Sequence, residues 1–357
     1  MKGNRWNILL LCAALTLAGC SSQGGSSEPV ETTAGTSAVV TTQEPETTVP
    51  APSVEDINPL TGESGFEGQG KRAISFMVSN IKQALPSYGL DTADICYEVP
   101  VEGGITRVMA VYADYDKVER VGSMRSARHY FLELAYPHDT IFMHFGRSIY
   151  ALDVINERSL DTIDGTRYTS GYYQDKQRLK ERGQEHSFFA TKDLLPSAFE
   201  MAKERVTGDT PMAFSFAREG ELPTGEAATS ITVKFSNYNT AGFDYDAASG
   251  EYKKSQFGAA QQDENTGTGI SVQNVFVLFT KTSLIPGQSK GLIEVDLSEG
   301  EGYYASGGKI QPIRWAKNGF ENAIVYTDAS GQELNVTPGQ SWICITDQDN
   351  RTSFQYQ

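Results

Sequence analysis

The pattern of hydrophobic and polar residues divides the body of the chain, residues 58–357, into two stretches with different periodicity. In the first stretch, short segments rich in apolar residues, typical of strands in a mostly buried sheet, cover 73–79, 94–101, 105–113 and 140–145. Apolar residues at helical spacing occupy 126–136, 149–156 and 192–206. Because strands that alternate with helices pack in layers, we expect residues 58–221 to form a mixed α/β domain around a buried sheet.

The second stretch, residues 222–357, has short strand-like segments and no helical spacing. These segments are 230–236, 273–280, 291–297, 302–305, 310–315, 323–327 and 341–346. Turn signals such as Asn318-Gly319 separate them, and 258–269, rich in Gln, Gly and Thr, is predicted to be an exposed loop. We therefore expect a mostly antiparallel all-β domain here, which makes the whole chain α+β.

The N-terminus carries a targeting signal. Lys2 and Arg5 precede a short apolar run at 8–17, and the run ends in Leu17-Ala18-Gly19-Cys20, which resembles a bacterial lipobox. We expect residues 1–19 to be a signal peptide and Cys20 to carry a lipid, the alternative being an ordinary signal peptide with a chance cysteine. Residues 20–57 have the composition of a disordered tether. This predicts an extracytoplasmic protein that is attached to the bacterial cell membrane by its N-terminal lipid anchor.

Charge and motif content narrow the class of function. The formal net charge of −15 argues against a nucleic-acid partner, which requires a basic surface. The four histidines do not have zinc-site spacing, and the chain carries no Walker loop, dinucleotide fingerprint or Gly-x-Ser-x-Gly elbow, so we expect no metal and no cofactor. Cys96 and Cys344 each lie in an apolar strand-like run, and the sequence leaves open whether they pair or stay free.

The first candidate site is the predicted hairpin of residues 98–107. If Gly103-Gly104 forms a two-residue turn, Glu98, Glu102 and Arg107 share one face, with the guanidinium diagonal to both carboxylates. Two interpretations stay open: a structural ion-pair cluster around a partly buried arginine, or a pair of carboxylates that act as acid and base.

The second candidate site is the segment 122–128, which leads into the first predicted helix. Arg125, Ser126 and Arg128 at a helix N-terminus suit an anion, because free N–H groups and guanidinium forks both bind one. His144 follows a predicted strand, where α/β domains place ligands, and His186 follows a basic loop. The alternative is that these side chains are structural, since arginines in an acidic protein most often form ion pairs.

Four motifs of this chain resemble those of the YerB-like bacterial lipoproteins. They are YEVPVEGGITR at 97–107, VGSMRSAR at 121–128, NVFV at 274–277 and GQSWI at 339–343. The resemblance runs from about residue 58 to residue 347 and implies a two-domain, surface-exposed lipoprotein. It implies no reaction and no catalytic residues. Relatives often have a glycine where this chain has Arg147, which weakens any role for that residue.

Two classes of function follow. The first is a lipid-anchored binding or scaffolding protein of the cell envelope, with an anionic envelope ligand in its N-terminal domain or a wall-remodelling protein as partner. The second is a glycan hydrolase that uses Glu98 and Glu102, with His144 a further catalytic candidate. A hydrolase needs its carboxylates roughly 5–9.5 Å apart. Residues i and i+4 on one strand lie about 13 Å apart at their backbones. The sequence leaves open whether the protein is an enzyme.

Overall fold

The computed structural model describes residues 56–218, 220–221 and 223–357. These residues belong to one compact unit. The predicted signal peptide, the lipid on Cys20 and almost all of the predicted tether lie outside the described residues. None of the helices in the described ranges is both long and apolar enough to cross a membrane.

The first half contains four α-helices and nine strands among its described residues. The strands are β1 (Ile74–Asn80), β2 (Ile95–Pro100), β3 (Thr106–Tyr112), β4 (Val121–Gly122), β5 (Ile141–His144), β6 (Thr162–Asp164), β7 (Tyr173–Gln174), β8 (Phe188–Ala190) and β9 (Ser215–Phe216). The helices are α1 (His129–Ala135), α2 (Ile149–Arg158), α3 (Lys176–Arg182) and α4 (Leu195–Ala202).

The second half is built from strands. They are β10 (Glu226–Ala227), β11 (Ser230–Lys234), β12 (Thr240–Asp246), β13 (Glu251–Gln256), β14 (Ala259–Ala260), β15 (Gln262–Asp263), β16 (Thr268–Gly269), β17 (Ser271–Val272), β18 (Asn274–Thr280), β19 (Thr282–Leu284), β20 (Ile293–Val295), β21 (Glu299–Ser306), β22 (Lys309–Ala316), β23 (Val325–Thr327), β24 (Asn335–Val336), β25 (Ser341–Asp347) and β26 (Gln355–Tyr356). With the mixed first half, this confirms the predicted α+β class.

One large sheet runs through both halves of the sequence. Its strand order is β10-β22-β21-β18-β25-β2-β3-β1-β5-β6, with β23 paired to β22. The halves meet where β2 pairs with β25 in parallel, with Cys96 opposite Trp342. The domain boundary predicted near residue 222 therefore separates two stretches of sequence that share one sheet.

Two layers cover the large sheet, one on each face. A second sheet of order β14-β13-β12-β11-β26 packs on one face and forms a core with the side chains of alternate residues such as Val108 and Trp342. Helices α1 and α2 pack on the other face, where Met109 and Ile343 point. Every residue of β1 and β3 is buried, which agrees with the high proportion of apolar residues in these strands.

The structure differs from the sequence predictions at several elements. The first predicted helix begins at His129, and the residues before it are extended. Helix α3 was not predicted, because its sequence KQRLKER has no apolar face. The stretch 258–269 is not a simple exposed loop, since Gln261 and Asp263 are buried against the first half of the chain.

Candidate anion-binding site

The candidate site lies at the carboxyl ends of three parallel strands. Strand β5 pairs in parallel with β1 on one side and with β6 on the other. The segment 122–128 crosses their ends: the Ser79 amide donates to the Ser123 carbonyl at 2.9 Å, and the Arg125 amide donates to the Met77 carbonyl at 2.8 Å. The position is the one predicted for a ligand in an α/β layer.

The β2–β3 hairpin has a different register from the one predicted. Val99 lies opposite Arg107, and Glu98 lies opposite Val108. The turn contains three residues, Glu102 to Gly104, because the Val101 amide closes it by donating to the Ile105 carbonyl at 2.9 Å. A shift of one residue exchanges the faces of a strand, so Glu98 and Arg107 point to opposite sides of the sheet. The prediction that Glu98, Glu102 and Arg107 share a face is wrong.

Glu102 lies between two arginines on the helix-covered face. Its Oε1 is 3.5 Å from Arg107 Nη2, its Oε2 accepts from Arg128 Nε at 3.0 Å, and Arg128 Nη2 also donates to Oε1. Partial burial raises the pKa of Glu102, but the two guanidinium groups lower it by more, so this pKa lies below its usual value. Arg107 is 3% exposed, and its burial together with the charge of Arg128 lowers its pKa to about 9.

A second carboxylate approaches from the loop before β8. Arg125 Nη1 donates to Glu185 Oε2 at 2.8 Å and to the Glu185 carbonyl at 3.3 Å. The Glu185 side chain is 73% exposed, so this pair is in solvent contact. We call Arg107, Arg125 and Arg128, with Glu102 and Glu185, the arginine cluster.

The arginine cluster has more positive than negative charge and holds an unpartnered donor. Three guanidinium groups face two carboxylates, within a chain whose net charge is −15. Arg107 Nε is buried with no hydrogen-bond partner, and so is Nδ1 of the neighbouring His186. Burial and the charge of Arg125 lower the pKa of His186, which keeps that ring neutral near pH 7. A buried donor such as the Nε–H of Arg107 normally has a partner, so this arrangement can accept an anionic group.

The remaining predicted residues lie beside the cluster with structural partners. Ser126 Oγ donates to the Phe145 carbonyl at 3.1 Å. His144 is fully buried at the end of β5, where Nδ1 donates to the Gly146 carbonyl at 2.8 Å and Nε2 has no partner. Burial lowers the pKa of His144 although Asp164 lies 4.0 Å away. Arg147 pairs with Asp164 and not with the cluster.

Glu98 is outside the site. It is fully buried between the two sheets, where its carboxylate accepts from Asn80, Thr106, Asn239 and Trp342. Glu102 lies on the opposite face of the hairpin, so the two carboxylates do not flank a common cleft. This removes the geometry on which the predicted hydrolase depends.

Cys96 and Cys344 are free, buried thiols. They lie on neighbouring strands beside Glu98, and burial raises the pKa of both. The residues described by the structure contain no group of three or more His, Cys, Asp or Glu side chains placed to hold a metal ion.

Sequence reasoning missed Glu185. It stands directly before the predicted His186, in the stretch KQRLKERGQEH, where an acid among bases signals an ion pair. Only the fold shows which of the neighbouring bases it meets, since Arg125 is 60 residues away along the chain.

A cavity of about 400 Å³ lies at the opposite, amino-terminal edge of β1, β5 and β6. Arg72, Asp139, Arg158 and Arg205 are among its lining residues. It contains none of the predicted site residues, and the guanidinium groups of Arg72 and Arg205 are already paired with Asp139.

Comparison with known proteins identifies relatives over nearly the whole body. Residues 60–205 match the model of the N-terminal domain, and residues 231–343 that of the C-terminal domain, of a protein of unknown function (DUF3048). The chain is 27% identical over 293 residues to the "Putative lipoprotein YerB" of Bacillus subtilis (strain 168), covering 80% of this chain and 85% of that protein. It is also similar to the crystal structure of the YerB protein from Bacillus subtilis, with a TM-score of 0.73 and 27% identity over 82% of this chain and 97% of that one.

Proposed function

This chain belongs to the DUF3048 family of proteins of unknown function, and from that premise we propose that it is a lipid-anchored binding protein of the bacterial cell envelope. Its ligand is an anionic envelope component held at the arginine cluster.

The location rests on the N-terminus and on the relative. The run of apolar residues that ends in Cys20 has the order of a lipoprotein signal, and the relative from Bacillus subtilis is named as a lipoprotein. A lipid on Cys20 would anchor the protein at the outer face of the membrane, where envelope polymers are within reach.

The single observation that carries the ligand class is the unpartnered Nε of Arg107. This buried donor belongs to a group of three arginines whose carboxylate partners among the described residues are Glu102 and the exposed Glu185. Arg107 and Arg128 also donate to the backbone carbonyl of Ser126. A phosphate or carboxylate can replace Glu185 at Arg125, because the exposed pair contributes about 0–1 kcal/mol. Glu98 and Glu102 lie on opposite faces of the sheet, so we do not propose a hydrolase.

A thermal-shift titration of residues 58–357 tests the proposal. The ligands are phosphate, sulfate, teichoic-acid fragments, muropeptides and acidic sugars. A ligand at 100 times its Kd adds about 2.7 kcal/mol to the free energy of unfolding. For a chain of this size that raises Tm by about 5 °C.

One variant in the cluster and one control outside it test whether the arginine cluster is responsible. Arg125→Ala should abolish the shift, because Arg125 is the cluster arginine whose partner is exposed. Arg147→Ala is the matched control, since that exposed arginine pairs with Asp164 outside the cluster. If no anion raises Tm, or if Arg125→Ala keeps the full shift, the arginine cluster is structural and the proposal is wrong.

A further inference from the structure

A network of fully buried polar side chains lies between the two sheets. Its members are each at most 2% exposed: Asn80, Glu98, Thr106, Asn239, Lys254 and Gln256. The first three come from the large sheet and the others from the second sheet or the turn before β12. An ammonium and a carboxylate in such a place lose their hydration, so their presence requires an explanation.

The amine of Lys254 lies against one oxygen of Glu98. Its Nζ is 3.4 Å from Glu98 Oε2, which also accepts from Trp342 Nε1 at 3.0 Å. The rings of Trp342 and Phe243 surround the amine, with centroids 4.6 and 5.5 Å from Nζ. Aromatic rings and burial exclude bulk water from this nitrogen.

The carboxamide of Asn239 lies against the other oxygen of Glu98. Its Nδ2 donates to Glu98 Oε1 at 3.2 Å, and its Oδ1 accepts from Gln256 Nε2 at 2.9 Å. The same Gln256 accepts from Lys254 Nζ through Oε1 at 2.9 Å. Glu98 and Gln256 therefore each contact both the amine and the carboxamide, so the two groups share both of these partners.

We propose that Lys254 and Asn239 are joined by an intramolecular amide bond, which forms within the folded chain with Glu98 as the proton carrier. The ammonium first gives a proton to the Glu98 carboxylate. The neutral Nζ then attacks Cγ of Asn239, and Glu98 returns the proton to Nδ2.

The step balances without any added reagent. The Nζ–Cγ bond forms, the Cγ–Nδ2 bond breaks, and ammonia leaves. The second proton of Nζ passes to Glu98, which ends as a neutral carboxylic acid. The ammonium and the carboxamide together carry five protons at the start. At the end the new amide carries one of them, ammonia carries three and Glu98 carries one.

The surroundings favour this reaction over a lasting ion pair. Gln256 Nε2 donates to the carbonyl oxygen on which negative charge develops during the attack. Formation of the amide leaves neither the ammonium nor the carboxylate charged, which removes the free-energy cost of burying the two charges. The bond ties β13 to the residue before β12, and it is independent of the arginine cluster on the opposite face of the large sheet.

Peptide mapping of the full wild-type chain tests the proposal. After denaturation and digestion, trypsin releases 235–253 and 255–281 as separate peptides if Lys254 is unmodified. With the amide bond, cleavage after Lys254 is blocked, and 235–253 stays linked to 254–281 in a species about 17 Da lighter than the sum of the two peptides.

Variants assign the roles. Lys254→Met should give no linked species, and Glu98→Gln should give none or a small fraction while circular dichroism checks that the chain is folded. A wild-type chain whose 235–253 and 255–281 peptides are fully separate overturns the proposal. So does a linkage to Asn80, or a species about 18 Da lighter that joins Lys254 to Glu98.

Discussion

Burial decides the chemistry of individual residues in this protein. His138 is 4% exposed, and its Nε2 hydrogen bonds to the hydroxyl of Tyr97 at 2.8 Å. Burial lowers the pKa of His138 to about 4. The sequence shows a histidine next to a proline and gives no sign of this environment.

The low pKa of His138 predicts a stability that depends on pH. Because the unfolded chain binds a proton near pH 6.5 and the folded chain only near pH 4, acid favours unfolding in that window. Between pH 7 and pH 5 we expect the free energy of unfolding to fall by about 2 kcal/mol on account of this residue. Urea unfolding at the two pH values measures it, and His138→Gln should remove that part of the pH dependence. An equal pH dependence in the variant would contradict the assignment.

Burial and side-chain direction also decide the chemistry of the residues in the candidate site. The sequence identifies Arg107, Arg125 and Arg128 as candidates because guanidinium groups suit anions. It does not show that Arg107 is buried with a free Nε, or that Glu98 lies on the other face. Those facts depend on side-chain direction, which one residue of register reverses.

At the scale of elements, the β2–β3 hairpin shows how a turn sets a register. Gly103 and Gly104 both have positive φ, of 76° and 73°. The expected two-residue turn would place Glu102 opposite Ile105, whereas the three-residue turn places Val101 there. The glycine pair is compatible with both turns, so the sequence alone did not distinguish them.

The two glycines should respond differently to alanine. A Cβ on Gly103 would meet no atom within 4 Å, and a Cβ on Gly104 would lie 3.3 Å from the side chain of Ser236. We expect Gly103→Ala to lower the free energy of unfolding by about 1 kcal/mol through its positive φ alone. Gly104→Ala should cost more, about 2 kcal/mol, because the tight contact is added. Urea unfolding of both variants compares them, and equal losses would show that Ser236 yields at no cost.

Helix α3 is marked in the sequence by its capping residues and not by hydrophobic periodicity. It begins after Asp175, whose carboxylate accepts from the Arg178 amide at 2.9 Å, and it ends before Gly183. An N-terminal Asp and a C-terminal Gly are recognisable in sequence. Capping residues, and not apolar spacing, would have identified this helix.

At the scale of the molecule, the large sheet joins both halves. Strand β2 of the first half pairs with β25 of the second, and the network around Glu98 lies between sheets that draw on both. Neither half can therefore lose its strands without exposing backbone groups of the other.

This connection predicts one cooperative unfolding transition for residues 58–357. Fluorescence of Trp315 and Trp342 reports on the second half, and hydrogen exchange of the β1 amides reports on the first. We expect both signals to give the same urea midpoint, as two-state unfolding requires. Two separated midpoints would show that the halves unfold independently and that the shared sheet adds little stability.

The sequence by itself determined the class of fold, most strands of the large sheet, three of the four α-helices of the described residues, the family and the arginines of the candidate site. These features follow from local periodicity, from short motifs and from residue chemistry. Tertiary structure decided the joining of the halves in one sheet, the faces of Glu98 and Arg107, and the partners of Arg125 and Lys254. The reason is physical: a partner such as Glu185 or Glu98 is far away in sequence, and only the packing of the whole chain brings the charges together.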